Sequence, residues 1–345
     1  MLKRKLLAST AVVLATSIAT ASLAEVKVSG YQEWNYITTD DATGSVDNPK
    51  SETKQLGNLT GITFTGSGDM DNGMSYSAYI KMENGDQAGR GTKINVSDSV
   101  TLSVENDGAV GIEGAAKALL PYVNNRRQDI AGFSRTAAAS SPFGTDIGDN
   151  TSGDNAIGLT FKSDVGNFMA SYTPNTDSTG STDDLDGTTI DTASASSFGF
   201  KGSLGIDGLT VGLGSYNQEA SDPALEDGSS KAAGLNYKMG SMAFGIQHSE
   251  NKMAGDAVGA QEEQTTEEAG VSFAAADNLT VGIYYAEIET KPTSGATVDS
   301  EVTTFQAGYN LGPAVVQYDY VTSENAYATA NRDVNLHKVK LKVNF

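Results

Sequence analysis

The end of this chain alternates so regularly that it defines a surface with two chemistries. Across Leu336–Phe345, Val339, Leu341, Val343 and Phe345 fall on one side, and Lys338, Lys340, Lys342 and Asn344 on the other. A period of two belongs to a β-strand. A strand that is apolar on one face, carries three lysines on the other and ends in an aromatic residue suits a wall between hydrocarbon and water. Transmembrane β-barrels are built from such strands, apolar outward and polar inward.

The other terminus fits export. Lys3, Arg4 and Lys5 precede a mostly apolar Leu6–Ile18, and Ser22-Leu23-Ala24 forms a small-x-small cleavage site. This is the pattern of a secretory signal peptide over residues 1–24, which leaves 25–345 as one folding unit. The apolar stretch is short for the roughly 20 residues of a spanning helix, and no later run reaches that length. Without the three signal-peptide bases, 20 Lys and Arg stand against 43 Asp and Glu, a net of −23. Such a charge argues against nucleic acid, whose backbone is bound by Lys and Arg, and favours attraction of cations. The absence of Cys excludes disulfides, a thiol nucleophile and a Cys-ligated metal.

Alternating segments recur in pairs around short turns rich in Asp, Asn and Gly, which supply turn conformations that other residues resist. The sequence predicts seven hairpins: Ile62–Thr65 with Ser75–Met82, Val100–Val104 with Val110–Ile112, and Ile157–Phe161 with Phe168–Tyr172. Phe198–Phe200 with Leu209–Leu213, Leu235–Met239 with Met242–Ile246, Ala269–Phe273 with Leu279–Tyr285, and Phe305–Leu311 with Ala314–Tyr320 complete the set. A first segment, Val26–Tyr36, and the last, Val339–Phe345, close the ring at sixteen strands. Connections at the other rim are long and polar, among them Thr38–Thr53, Asn84–Thr92, Glu113–Asp154 and Pro174–Thr192. Aromatic residues such as Trp34, Tyr36, Phe161, Tyr285 and Tyr320 sit at segment ends, where interface girdles place them. The fold expectation is therefore all-β, a transmembrane antiparallel barrel of about sixteen strands.

A signal peptide, alternating strands, short turns opposite long loops, a terminal Phe345 and one longest loop after the fifth predicted strand resemble the Gram-negative general porins. The likeness is closest to the acidic, Gly-rich porins of α-proteobacteria, and it covers the whole mature chain. It implies an outer-membrane channel for ions and small hydrophilic solutes, a homotrimer, and contact with outer-membrane lipid and lipopolysaccharide. It also implies that Val343-Asn344-Phe345 serves as the assembly signal. The third long loop, here Glu113–Asp154, is implied to fold into the barrel and narrow the pore. That loop brings together Glu113, Lys117, Arg126, Arg127, Asp129, Arg135, Asp146 and Asp149, and three of the five Arg of the mature chain lie in it. Its near balance of acids and bases departs from the family's mainly acidic inserted loop, which leaves the ion preference open.

If the apolar members of each strand face lipid, their neighbours line the lumen. That places Lys81, Lys338, Lys340 and Lys342 on the inner wall with Glu33, Glu105 and Asp319. On this reading Lys340 is a hydrated position that tolerates glutamine. A lysine on the lipid face at mid-depth would cost roughly 2–4 kcal/mol.

Three other functions compete with this reading. An enzyme would need a catalytic group, and the two histidines, His248 and His337, lack a hydrolase motif around them. A secreted or surface β-protein could hold Ca²⁺ on the acidic loops, although no EF-hand or Gly-rich nonapeptide repeat is present. A substrate-specific channel would need an aromatic track, and the inward Tyr31, Tyr79, Tyr216 and Tyr284 are scattered. The expectation is a diffusion porin that needs no cofactor.

Overall fold

In the computed structural model, the residues described are 25–43, 51–105, 111, 114–115, 119–123, 156–174, 194–220, 222, 224–252, 254, 257–258, 262–326 and 330–345. Sixteen strands form one closed antiparallel barrel in which every strand pairs with its sequence neighbours and β16 closes on β1. They are β1 (Glu25–Thr43), β2 (Ser51–Asp69), β3 (Ser75–Glu83), β4 (Asp86–Ser97), β5 (Val100–Glu105), β6 (Ala156–Ser163), β7 (Gly166–Thr173) and β8 (Ala195–Gly202). The second half comprises β9 (Leu209–Gln218), β10 (Gly228–Met239), β11 (Met242–Lys252), β12 (Glu263–Ala276), β13 (Leu279–Lys291), β14 (Val298–Asn310), β15 (Ala314–Glu324) and β16 (Arg332–Asn344).

The alternation read from the sequence becomes an inside-out distribution of side chains. Phe161, Phe168, Phe198, Phe244, Ile283 and Leu341 are exposed on the outer face. Ser197, Gln247, Thr266, Gln306 and Asp319 are buried on the inner one. A water-soluble sheet protein does the opposite, because its apolar face is the one removed from water. Here that face needs hydrocarbon around it.

The sixteen-strand count agrees with the sequence expectation, but it is reached by a different route. The predicted hairpin of Val100–Val104 with Val110–Ile112 is not formed. β5 pairs with β4 on one side and with β6 on the other, so it has no edge left for a third partner. The residues predicted as a long loop, Asn84–Thr92, contain instead a two-residue turn and the start of β4. Asn84 and Gly85 both hold positive φ, at 51° and 98°. That is the pair of left-handed residues a tight hairpin turn requires, and Asn-Gly is the sequence best suited to it. β1 and β2 also run further than expected, with 19 residues each.

Closure rests on the last residue. The Phe345 backbone N–H donates to the Gly30 carbonyl at 2.9 Å, and the Gly30 N–H returns a bond to the Phe345 carbonyl at 2.8 Å. Removing Val343–Phe345 takes away this pair and three residues of the seam between β16 and β1. Unpaired backbone groups would then face hydrocarbon, each at a cost of several kcal/mol. The truncated chain should leave almost no heat-modifiable protein in the membrane fraction, which gel mobility with and without boiling will show. Normal amounts of folded barrel would refute the seam argument.

Candidate functional site: the lumen and its seated loop

The inner wall divides into two arcs. The charged arc runs from β15 through β16 and β1 to β5. Lys340 and Glu33 form an ion pair at 3.6 Å, with side chains 2% and 9% exposed. Asn35 Nδ2 donates to Glu33 Oε1 at 3.0 Å. Lys93 meets Glu105 at 3.2 Å, and the Tyr79 hydroxyl donates to the same carboxylate at 3.4 Å. Lys81 lies 3.4 Å from Glu83, which also accepts a 2.5 Å bond from the Tyr31 hydroxyl. The Lys342 ammonium stands 4.1 Å from the centre of the Tyr31 ring. Asp319 and Lys338 are buried at opposed positions on β15 and β16.

The second arc, β8 to β13, buries Tyr216, Glu268 and Tyr284 beside several small residues and carries a stretch of backbone from the long loop after β5. Each of these six strands contributes an inward glycine at the level of the loop: Gly199, Gly212, Gly234, Gly245, Gly270 and Gly282. A Cβ at Gly199 would run into the Gly111 carbonyl and the Ala115 side chain, and one at Gly212 into the Ala115 carbonyl and Leu119. At Gly234 a Cβ would meet Leu119 at 3.0 Å, at Gly245 the Leu119 carbonyl at 3.1 Å, and at Gly270 the Leu120 side chain at 3.2 Å. At Gly282 it would stand 2.9 Å from Val123. The glycines form a shallow groove across the strands, and the loop lies in it.

Hydrogen bonds hold the loop to the same wall. Asn236 Nδ2 donates to the Leu119 carbonyl at 2.8 Å, and the Tyr284 hydroxyl to the Pro121 carbonyl at 2.6 Å. The Val123 N–H donates to Gln306 Oε1 at 3.1 Å, and the Tyr122 hydroxyl to Glu268 Oε1 at 3.3 Å. The rings of Tyr122 and Tyr284 lie 4.6 Å apart. Ala115, Leu119 and Leu120 are all buried. Burying backbone without strand partners is costly unless its carbonyls and N–H groups find side chains, and Asn236, Tyr284 and Gln306 fill that role here.

All seven wall residues predicted from the sequence, Glu33, Lys81, Glu105, Asp319, Lys338, Lys340 and Lys342, stand on the inner face. The expectation that Lys340 is hydrated is corrected: it is among the most completely buried side chains of the barrel, because Glu33 and the neighbouring strands enclose it. Gly114 and Ala115 are helical, at the edge of the helical turn predicted over Ala115–Leu120. The predicted loop residues Glu113, Lys117, Arg126, Arg127, Asp129, Arg135, Asp146 and Asp149 lie outside the described residues. Sequence reading missed Glu83, Lys93 and the glycine groove. The groove had a signal, an inward-parity glycine on each of six successive strands. Among the described residues no cluster of three or more His, Asp or Glu side chains could hold a metal ion.

A closed sixteen-strand barrel with a loop fixed inside it is an architecture that can be compared with known proteins. Residues 8–326 match the family model described as Gram-negative porin. The chain belongs to the Gram-negative porin family. Its fold is that of solved porins at low identity. The anion-selective porin from Comamonas acidovorans superimposes with a TM-score of 0.65 at 14% identity, over 93% of this chain and 100% of that one. Salmonella typhi OmpF, solved with daunomycin, gives 0.64 at 12% identity over 93% and 98%. OmpT of Vibrio cholerae in its trimer form gives 0.58 at 11% identity over 93% and 99%. No curated protein matches the sequence. The protein is thus an outer-membrane porin, a channel for passive diffusion across the Gram-negative outer membrane. Its short turns form the periplasmic rim and its longer connections the extracellular one.

Proposed function

We propose that ions and small hydrophilic solutes cross this porin between two walls, the loop seated on β8–β13 and the charged arc of β15–β16 and β1–β5. The seating of Gly111, Ala115 and Leu119–Val123 against the six glycines carries this reading, because among the described residues it puts a second layer of protein inside the barrel against β8–β13. The passage needs no chemical step and no cofactor. Width and fixed charge set what passes.

The described charges of the arc are nearly balanced, with Lys81, Lys93, Lys338, Lys340 and Lys342 against Glu33, Glu83, Glu105 and Asp319. Three of those carboxylates are engaged in ion pairs. The sign of selectivity then falls to the mouth, where the acidic loops concentrate cations. General diffusion is favoured over a substrate-specific track because the inward tyrosines are occupied. Tyr31 bonds Glu83, Tyr79 bonds Glu105, Tyr216 bonds Gln218 and Tyr284 bonds the loop.

The expected result in a planar bilayer is a weak cation preference in a KCl gradient near 0.1 M. It should fade at 1 M, as the Debye length falls from about 10 Å to about 3 Å. Anion preference at low salt would assign control to the lysines of the wall. Absence of channels in a folded preparation would defeat the porin reading itself.

A further inference from the structure

We infer that the outer face of β9–β13 holds a lipid whose acyl chain lies in an apolar furrow and whose primary ammonium headgroup sits among the carboxylates at the furrow's end. The inference goes beyond the passage of solutes, because it concerns the opposite side of the wall.

Two successive rows of outward side chains build the furrow. Leu235, Ile246, Ala269 and Tyr285 stand opposite one another across β10–β13. One step toward the extracellular rim, Ala233, His248, Glu267 and Glu287 do the same. Ala233 and Ala269 are short, and the exposed side chains of Leu213, Ile246 and Tyr285 rise around them. The result is a depression of about 610 Å³ in the lipid-facing wall. That is the size of a small-ligand site. Its floor and sides are apolar, so hydrocarbon is what they fit.

The furrow changes chemistry at its extracellular end. Glu267 stands opposite Glu287, Glu287 opposite Glu301, and Glu301 opposite Glu324. Like charges opposed across strands repel. A positive group placed among them is attracted by several carboxylates at once. His248 borders the row, 3.6 Å from Glu267 and 3.4 Å from Glu250. The lysines of β11 and β13, Lys252 and Lys291, are both engaged with Glu263, at 3.0 and 3.6 Å. Lys231 on β10 stands opposite Glu250.

This juxtaposition selects the occupant. A furrow that faces hydrocarbon takes an acyl chain, and carboxylates at its mouth take a cation. A primary ammonium offers three N–H donors to carboxylate oxygens, which a quaternary ammonium lacks. A lipid with only negative charge would add to a row that already repels itself.

The chain has no cysteine, so a single introduced thiol can be labelled alone. Bimane at Val271→Cys, the next outward position below Ala269 on β12, reports on the furrow. Bimane at Val316→Cys on β15 reports on the lipid face away from it. Each labelled porin would be placed in phosphatidylcholine vesicles in which one lipid in ten is brominated phosphatidylethanolamine or, in a parallel set, brominated phosphatidylglycerol. At Val271→Cys the ethanolamine lipid should quench at least twice as strongly as the glycerol lipid, and at Val316→Cys the two should quench alike. Adding Glu267→Gln with Glu287→Gln to the Val271→Cys porin should make the two lipids equal there, in barrels that keep their heat-modifiable migration. Filling the floor by Ala269→Leu should do the same. Equal quenching at Val271→Cys without those changes would overturn the inference and leave the furrow to unselected lipid. A preference that survives the double variant, or stronger quenching by the glycerol lipid, would overturn it as well. None of these outcomes bears on solute passage, so the porin reading stands apart from this test.

Discussion

Leucine at Gly212 should at least halve single-channel conductance while the barrel still assembles. The glycine lies directly beneath the loop, and a side chain there runs into the Ala115 carbonyl and both Leu119 methyls. The strand beneath is held by its pairing with β8 and β10, so it cannot yield. The obstacle on the other side is backbone, not the end of a flexible side chain. The loop must therefore lift toward the lumen, where it narrows the passage. Its bonds from Asn236 and Tyr284 stretch or break, and conductance should also become noisier. Overpacking a fitted contact commonly costs 1–3 kcal/mol, which is comparable with the few hydrogen bonds that hold the loop. Gly66→Ala on β2 is the control, since a Cβ there meets nothing within 4 Å. Bilayer recordings of the two variants beside the parent make the comparison. Parental conductance in Gly212→Leu would mean that the loop does not bound the passage.

That groove shows how far the sequence could be read. The barrel was legible because its lipid-facing residues must be apolar and its inner ones need not be, and alternation reports that constraint strand by strand. β4 escaped for the same reason. Its outward Arg90 and Thr92 are polar, its inward Gly91 is featureless, and Asp86–Ser97 therefore shows no alternation. Val110 and Ile112, predicted as the partner of β5, lie outside the described residues, and β4 takes that place beside β5 in the count of sixteen. Asn84-Gly85 is the available clue, a strong hairpin turn inside the predicted loop Asn84–Thr92. The wall charges were legible by parity alone. Their burial was not, because parity tells which way a side chain points and nothing about what stands in front of it.

Burial decides the other large effect. Lys340→Gln should destabilise the barrel by about 3–5 kcal/mol, the range for removing one partner of a buried ion pair. The Lys340 ammonium and the Glu33 carboxylate are both shielded from water, and the substitution leaves the carboxylate with Asn35 as its neutral donor. An amide cannot replace the lost charge. The double variant Glu33→Gln with Lys340→Gln should recover more than half of the loss, because it removes the uncompensated charge itself. Lys342→Gln supplies the contrast. Lys342 is only half-buried, and its partner is the face of Tyr31, so roughly 1 kcal/mol or less is at stake. Urea unfolding in lipid, followed by tryptophan fluorescence from Trp34, would rank the three variants. A hydrated, tolerant Lys340 predicts no difference between Lys340→Gln and Lys342→Gln. A buried pair predicts a gap of at least 2 kcal/mol that closes in the double variant. Only the second pattern is compatible with a charged arc whose ions are fixed in place, and a fixed arc is what lets the lumen present the same field to every solute that enters.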